Sequence, residues 1–578
     1  MWSFRHNFPG IFLFPLLLLV LLSCGGDPAE RRAKHMEQGD GYFEEGEFKK
    51  AVIEYKNAIQ AEPKFARGHY QLALAYLRTG QPRKAFDELS RTVDLDPENL
   101  DAQLRLGEFH LLAKKPEEAS EKATLVLEKD PENIDALFLQ MGVLLQQNKP
   151  QEATEILQKI TALDEKNVKA YVSLARIAGG QKKYTEAEKY LKKAVEAGPE
   201  NASARLELAG FYERRGDLEE AERELNEAIE KNQDNITLLG QLGAFYVRRG
   251  DLKAAEKTYL MMAEKAPQQV APKMTLGAFY VSQKDWDRAL TWMNKALESQ
   301  PENLEIQNAL AALYMEMGKP EQTERLIDKV LEEDESNLGA SLLRARLLLK
   351  DRKFGEAQEI LEGITKDRPR HGHAHHYLGL AYMGENERTK AKGALLKAVE
   401  YGPGNLRARM LLAELFLGER AVDLAQAQLK VVLTKEPGNY IAHVLQGNAY
   451  ALKRDVEKAR QAYSKAAELR PDDPVPYYQL ATLDRAQGRY DGAMAHLDKV
   501  LALKADHVPA IAAKTSVYMA RKQPGQALSF LGEQLRQHEK NTQLAAMLHQ
   551  MRGDLLLVQK DYEQSEGALK KALDLNPD

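Results

Sequence analysis

The residues best suited to coordinate a metal ion lie in one short segment. Four of the thirteen histidines, His371, His373, His375 and His376, stand within six residues of one another. On a helix, His373 and His376 would share a face as an i, i+3 pair, and two imidazoles could hold Zn²⁺ or Cu²⁺. A complete site also needs third and fourth ligands and supporting hydrogen bonds. We therefore predict an ordinary solvated helix start and no metal site; the alternative is metal binding or pH sensing, for which His373 and His376 are the only candidates.

No other motif predicts catalysis. Gly402, Pro403 and Gly404 begin a glycine-rich run, but Arg407 stands where a dinucleotide-binding loop needs its third glycine. The sequence contains no GxSxG, HExxH or Walker A motif, and its carboxylates recur at the spacing of solvated helix faces. We therefore expect no enzyme activity and no cofactor.

The single cysteine, Cys24, follows an apolar run from Ile11 to Leu22. That run is shorter than the ~20 residues that cross a bilayer and suits the core of a signal peptide. Its end, Leu21-Leu22-Ser23-Cys24, resembles the bacterial lipoprotein box, which implies cleavage before Cys24 and acylation of its thiol and new amino group. The alternative is an ordinary secretory signal. We predict a signal peptide over residues 1–23 and a lipidated tether over residues 24–31.

Composition excludes two large classes of protein. Lys plus Arg is 81 and Asp plus Glu is 86, so the chain lacks the basic excess of a general nucleic-acid binder. With 29% charged residues it is too polar for a multispanning membrane protein.

We expect everything after Cys24 to be soluble and to lie on the periplasmic face of the cell envelope. Gly25, in place of Asp, favours the outer membrane over the inner.

The elements that carry these residues follow from an internal repeat. Alanine recurs every 34 residues, with Thr323 filling one gap, at Ala51, Ala85, Ala119, Ala153, Ala187, Ala221, Ala255, Ala289, Ala357, Ala391, Ala425, Ala459, Ala493 and Ala527. In most copies a small residue stands twelve positions before this alanine and a proline twelve positions after it. Within one copy, Leu206, Ala209 and Tyr212 fall on one helical face, and Gly216 can take the positive φ that ends a helix.

This pattern resembles the tetratricopeptide repeat over residues 32–578. The resemblance implies an all-α solenoid, a right-handed superhelix of about sixteen helix-turn-helix units in one domain. Because a helix pair this small cannot bury its own apolar face, the copies must stack. The step from Ala527 to the next equivalent residue, Ser565, is 38 residues, so four residues enter near 542–545. We predict a lengthened helix from about Thr542 to Val558.

In this repeat family the fifth, ninth and twelfth residues of each copy face the concave groove. The predicted groove residues are Tyr70, Leu104, Phe138, Leu206, Val247, Met274, Val281, Met315, Leu349 and Met383. Apolar walls above small residues suit an extended peptide or an amphipathic helix. The alternative is that these side chains pack against the adjacent helix. No copy has the Lys and Asn pair of the family's clamp for C-terminal carboxylates.

The function is predicted to be that of a membrane-anchored scaffold for protein partners. The segment from Ala51 to Ala58, after Gly46 and behind the Cys24-Gly25 box, resembles the repeat lipoproteins of bacterial exosortase (PEP-CTERM) systems. That resemblance implies a role in envelope protein sorting or exopolysaccharide export. The alternatives are a pilus or secretin assembly lipoprotein, and the repeat arm of a glycosyltransferase or other enzyme whose catalytic domain is absent. Direct polysaccharide binding is less favoured, because the chain has only three Trp.

Overall fold

The computed structural model describes residues 27–576, and every regular element within them is a helix. Contacts between residues divide the chain into two compact units, Met1–Leu276 and Gly277–Asp578, and each is described by itself. The 34-residue phase runs through this boundary unchanged, so the sequence predicts a single domain there. The helices confirm the predicted all-α class and the arrangement of about sixteen helix-turn-helix repeats.

Unit 1 holds these helices: α1 Pro28–Glu44, α2 Phe48–Ala61, α3 Ala66–Arg78, α4 Pro82–Leu95, α5 Leu100–Leu112, α6 Pro116–Lys129, α7 Ile134–Gln146, α8 Pro150–Leu163, α9 Val168–Gly180, α10 Tyr184–Ala197, α11 Ala202–Arg215, α12 Leu218–Lys231, α13 Ile236–Arg249, α14 Leu252–Lys265 and the start of α15 Val270–Ser282.

Unit 2 holds the rest of α15 and these helices: α16 Trp286–Ser299, α17 Leu304–Glu316, α18 Pro320–Glu333, α19 Leu338–Lys350, α20 Phe354–Asp367, α21 Gly372–Gly384, α22 Arg388–Tyr401, α23 Leu406–Gly418, α24 Val422–Lys435, α25 Tyr440–Leu452, α26 Val456–Leu469, α27 Pro474–Ala486, α28 Tyr490–Leu503, α29 Val508–Ala520, α30 Pro524–Gln537, α31 Thr542–Val558 and α32 Tyr562–Leu575.

The recurring alanine position is the centre of each helical hairpin. From Ala51 to Ala527 the residue at this position is buried in every copy, and Thr323 and Ser565 are buried where they replace alanine. Each of these two hydroxyls donates to a backbone carbonyl, Thr323 to that of Lys319 at 2.9 Å and Ser565 to that of Gly553 at 2.9 Å. A small side chain here lets the two helices of a hairpin pack closely, and a hydroxyl is tolerated because it is hydrogen-bonded.

A second small position sets how close the helices of a hairpin come, and the residue sixteen positions later packs on it; where the small residue is glycine, that partner is tyrosine in some copies but Leu395 at Gly379 and Met293 at Gly277. Gly447 on α25 lies under the ring of Tyr463 on α26, and a Cβ at Gly447 would overlap that ring. The same glycine–tyrosine pairing occurs between Gly39 and Tyr55. In copies with alanine at the first position, the second residue is leucine or isoleucine. These pairs are Ala73 with Leu89, Ala175 with Leu191, Ala209 with Leu225, Ala311 with Ile327, Ala345 with Leu361, Ala413 with Leu429, and Ala481 with Leu497.

The turns and caps follow two rules. Gly216 ends α11 with φ of +88°, as predicted, whereas Asn148 reaches φ of +59° at the equivalent kind of turn. The first helix of most hairpins begins at an asparagine cap; for example, Asn201 accepts the Ala204 N–H at 3.1 Å. Asp217 precedes α12 but makes no capping hydrogen bond, and its carboxylate instead contacts Arg215 Nε at 3.1 Å.

Two ends of the array differ from the regular unit. Helix α1 begins at Pro28, with Asp27 as its cap, so residues 28–31 are helical although the sequence analysis assigned them to the tether. Proline is favourable in the first turn because no intrahelical partner is lost there. At the other end, α31 spans Thr542–Val558, 17 residues, which confirms the predicted lengthened helix.

Candidate functional site

The histidine segment forms the start of α21, and its members do different things. His371 caps the helix, because the Ala374 N–H donates to His371 Nδ1 at 3.0 Å. His375 is buried and its Nε2 lies 2.8 Å from the Pro369 carbonyl oxygen, to which it donates. His376 is also buried, whereas His373 is exposed. His375 therefore packs inside the array.

His373 and His376, the two candidate metal ligands, line one cavity of about 580 Å³. The positively charged Arg407 and the carboxylate of Glu436 line the same cavity. Burial, with help from the nearby His373 and Arg407, lowers the pKa of His376 to about 4. Within residues 27–576 no group of three or more His, Cys, Asp or Glu side chains is placed to hold a metal ion. The described geometry therefore gives these two histidines no further ligand.

The ten predicted groove residues are less exposed than an open binding surface would leave them. Leu104, Phe138 and Met315 are buried. The other seven are half-buried, namely Tyr70, Leu206, Val247, Met274, Val281, Leu349 and Met383. Met383 packs against the apolar clusters on both sides of it. These side chains thus contribute to packing between neighbouring repeats, and their part in partner binding stays a prediction.

Charged pairs connect the first helices of neighbouring repeats. Arg248 on α13 donates through Nη2 to Glu213 on α11 at 2.9 Å, and this hydrogen bonding lowers the pKa of Glu213. In unit 2, Arg346 on α19 contacts Glu316 on α17 at 3.0 Å. These pairs place fixed charges among the half-buried apolar side chains, so a partner would meet polar and apolar groups in alternation.

A tyrosine, a glutamate and an arginine form a cluster that repeats after 34 residues. Tyr246 donates to Glu222 at 2.5 Å, and Arg249 contacts the same carboxylate at 2.6 Å. Burial and the hydrogen bond to Glu222 raise the pKa of Tyr246 to about 12. Tyr212 and Arg215 share Glu188 in the same way, at 3.2 and 2.7 Å. Each cluster joins the second helix of one repeat to the first helix of the next, so its role is structural.

Sequence reasoning missed a set of side chains that close the loops between repeats. Each is a hydrogen-bond donor six residues after a loop proline, and each donates to that proline's carbonyl oxygen. The pairs are His69 with Pro63, Gln103 with Pro97, Gln307 with Pro301, His375 with Pro369, and His443 with Pro437. The signal was present in the sequence as a polar residue at one fixed distance from each repeat proline.

In some copies the side chain at this position also contacts the side chain nineteen residues later in the sequence. His69 Nδ1 lies 2.6 Å from Glu88, and this hydrogen bond raises the pKa of His69. The buried Arg205 contacts Glu224 at 3.0 Å. His375 has Ala394 at that spacing, so its Nδ1 has no hydrogen-bond partner. The contact with the residue nineteen places later is therefore present in some repeats and absent in others, so the structural role of this position differs between repeats.

Cys24 and the signal-peptide prediction lie outside the described residues. Between residues 27 and 576, none of the helices combines the length and the apolar character needed to span a bilayer.

The Gly402-Pro403-Gly404 run lies between α22 and α23, and Asn405 caps α23 by accepting the Ala408 N–H at 3.0 Å. It is therefore a repeat boundary, as expected.

Family models match long parts of the chain. The model described as tetratricopeptide repeat matches residues 180–244, 280–347, 314–381, 450–517 and 484–551. A second model of that description matches residues 70–134 and 415–474, and one described as TPR repeat matches residues 39–80. Together these matches extend over more than half of the chain. A model described as anaphase-promoting complex, cyclosome, subunit 3 matches residues 117–194.

Several solved structures are similar in fold, while no curated protein sequence matches the chain. The crystal structure of the APC/C hetero-tetramer Cut9-Hcn1 is 15% identical, covers 95% of this chain and 98% of that one, and has a TM-score of 0.44. Naa15/Naa10 bound to HypK-THB is 14% identical, with coverages of 93% and 100% and a TM-score of 0.35. Pseudomonas aeruginosa pilF is 22% identical, with coverages of 35% and 92% and a TM-score of 0.30. At these identities the likeness concerns the fold alone.

Proposed function

The chain belongs to the tetratricopeptide-repeat family, and we propose that it is a non-enzymatic scaffold that holds protein partners at the bacterial cell envelope. The observation that carries this proposal is the repetition itself. One helical hairpin is used throughout the described residues, and its polar clusters recur as packing and capping contacts. Such an array presents a long surface on which binding energy comes from many modest contacts rather than from one reactive centre.

The surface of the first helices supports a protein partner. Side chains such as Val247 and Met274 are half-buried, so part of each remains available for contact. Pairs such as Arg248 with Glu213 supply charge beside them. Alternating apolar and charged groups of this kind are typical of the surfaces on which helices or extended segments dock.

The envelope location rests on the residues around Cys24. A single cysteine at the end of an apolar run suits acylation, and each buried methylene of an acyl chain adds about 0.8 kcal/mol to membrane binding. The proposed pathway is protein sorting or exopolysaccharide export, with the outer membrane preferred. Of the segment that suggests this pathway, Ala51, Tyr55 and Ala58 are buried in the first hairpin, so those three have a packing role as well.

One experiment addresses both the anchor and the scaffold. The wild-type chain, the Cys24→Ser variant and the control Ser23→Ala are expressed in a bacterial host, and proteins are cross-linked in intact cells before fractionation. We expect wild type and Ser23→Ala in the membrane fraction together with cross-linked proteins, and Cys24→Ser in the soluble fraction with the same proteins. Cys24→Ser that has lost residues 1–23 and still remains with membranes would contradict lipid anchoring, because an uncleaved signal peptide binds membranes by itself. Absence of any cross-linked protein from all three would contradict the scaffold.

A further inference from the structure

Unit 1 contains a cavity beside a position at which an earlier repeat carries a leucine side chain. Helix α9 ends in Gly179 and Gly180, and a Cβ at either would meet no atom within 4 Å. Two repeats earlier, the residue equivalent to Gly179 is Leu111, whose side chain lies against Gly142 of the next first helix. Here the equivalent of Gly142 is Gly210, so both positions of that contact are glycine, and Gly179 lines the cavity. The leucine that closes this space elsewhere is missing.

The resulting cavity has a volume of about 620 Å³ and lies between α9, α10 and α11. Its floor consists of the buried side chains of Leu191 and Phe211. Tyr184 lies at its edge with 52% of its surface exposed, which is unusual for a large aromatic side chain in this array. A volume of this size is in the range that holds a drug-sized group, and its walls are apolar and aromatic.

The rim of the cavity is positively charged. Arg176, Arg214 and Arg215 line it together with the carboxylate of Glu207, and Arg215 also contacts Glu188 and Asp217, which lie outside the lining. Arg176 forms an ion pair with Glu207 but keeps 68% of its side chain exposed. Arg215 stacks on the floor, with its guanidinium carbon 5.6 Å from the centre of the Phe211 ring. The rim therefore attracts negative charge, while the floor favours an apolar group.

We propose that this cavity receives an aromatic side chain from a protein segment that carries carboxylates on both sides of it. The ring would lie on Leu191 and Phe211 beside Tyr184, and the flanking carboxylates would pair with Arg176 and Arg214. This inference rests on the proposed scaffold function and adds to it one site and the chemistry of the partner. Aromatic anchors with charged neighbours are the usual centres of binding energy in protein interfaces.

The test uses the mature chain and fluorescein-labelled peptides in an anisotropy titration. The probe peptide has one tryptophan with two glutamates on each side. One comparison peptide replaces the tryptophan by alanine, and the other replaces the glutamates by lysines. We expect the probe to bind at least about tenfold more tightly than either comparison peptide, since one buried aromatic anchor typically changes affinity by that factor or more. Equal binding of the probe and the lysine peptide would overturn the proposal.

A variant that fills the cavity tests the location. Gly179→Leu restores the residue type of Leu111, so the chain is expected to fold with an unchanged circular dichroism spectrum and an equal or higher melting temperature. Gly418→Leu is the matched control, because Gly418 also ends a first helix and a Cβ there meets no atom within 4 Å. We expect probe affinity to fall at least tenfold in Gly179→Leu and to stay unchanged in Gly418→Leu. Wild-type affinity in Gly179→Leu would overturn the proposal.

Two further measurements separate this inference from the proposed function. Arg214→Gln should weaken binding of the acidic probe and leave that of the lysine peptide unchanged, whereas an equal effect on both would contradict the charge argument. N-acetyltryptophanamide, which carries no carboxylate, added as a competitor should bind at least tenfold more weakly than the probe, and equal binding would mean that no flanking carboxylate is recognised. If the probe fails these tests while partners still cross-link to the chain in cells, this inference is wrong and the scaffold function stands.

Discussion

At the scale of single residues, the same side chain serves different purposes according to its place in the hairpin. His371 caps a helix through Nδ1, His69 and His375 close loops through Nε2, and His376 is buried with Nδ1 unpartnered. None of these roles needs a metal ion or a substrate. A histidine-rich segment in a repeat array is therefore weak evidence for a metal site, because loop closure and capping already use the imidazole nitrogens.

The pKa of His376 predicts a pH dependence of stability. Folding lowers this pKa from 6.5 to about 4, so above pH 6.5 neither state is protonated and the histidine has no effect. As the pH falls below 6.5, the unfolded chain binds a proton that the folded chain does not, and the free energy of unfolding decreases until about pH 4. The loss at pH 5 is about 2 kcal/mol.

Denaturant midpoints at pH 7 and pH 5 measure this effect. We expect the His376→Phe variant to lose less stability between the two values than wild type, because phenylalanine fills the site and binds no proton. The exposed neighbour provides the control, since His373→Phe should keep most of the wild-type pH dependence, because burial is the largest cause of the lowered pKa of His376. An NMR titration that placed the midpoint of His376 near 6.5 would contradict the prediction.

At the scale of the helix, the pairing of a small residue with a larger one sets the distance within each hairpin. Gly447 lies under Tyr463, and Ala481 in the next repeat lies beside Leu497. The two pairs occupy equivalent positions in their hairpins. In one pair the larger volume is the tyrosine ring opposite glycine, and in the other the alanine methyl group makes up for the smaller leucine. Packed interiors tolerate such volume-conserving exchanges better than single changes of size.

The Gly447→Ala variant tests this pairing. The added methyl group overlaps the Tyr463 ring, so we expect a loss of about 1–3 kcal/mol in the free energy of unfolding. Adding Tyr463→Leu reproduces the pair of the next repeat, and the double variant should be more stable than the sum of the two single changes. Gly393→Ala, on an open face of α22, should be neutral or slightly stabilising. A double variant with strictly additive losses would show that the two positions are not coupled.

At the scale of the whole molecule, each hairpin depends mainly on its neighbours. In unit 2, for example, α25 contacts α26 and α24, and α26 contacts α27. Stability in such an array is close to a sum of hairpin terms and nearest-neighbour terms. A local change should therefore be felt over a short distance, unlike a change in the single core of a globular domain.

Hydrogen–deuterium exchange measures that distance. In Gly447→Ala we expect faster exchange in α25 and α26, a smaller increase in α24 and α27, and no change in α18 to α20 of the same unit. Local openings spread only as far as the contacts that hold the segments together. Uniformly faster exchange throughout unit 2 would mean that it unfolds as one cooperative block.

The sequence alone determined the helices, the repeat length and the positions of the buried alanines. The reason is that the 34-residue period presents the same helical hairpin many times, so each copy supports the assignment of the others. The lengthened α31 was likewise readable from a single step of 38 residues. Tertiary structure decided how exposed the groove side chains are, which histidine nitrogens find partners, and that Gly179 lines an unfilled cavity between α9, α10 and α11. Those outcomes depend on contacts between residues about one repeat apart, on neighbouring helices. The periodicity of the sequence predicts which positions face each other, but it does not predict the distance between two particular side chains.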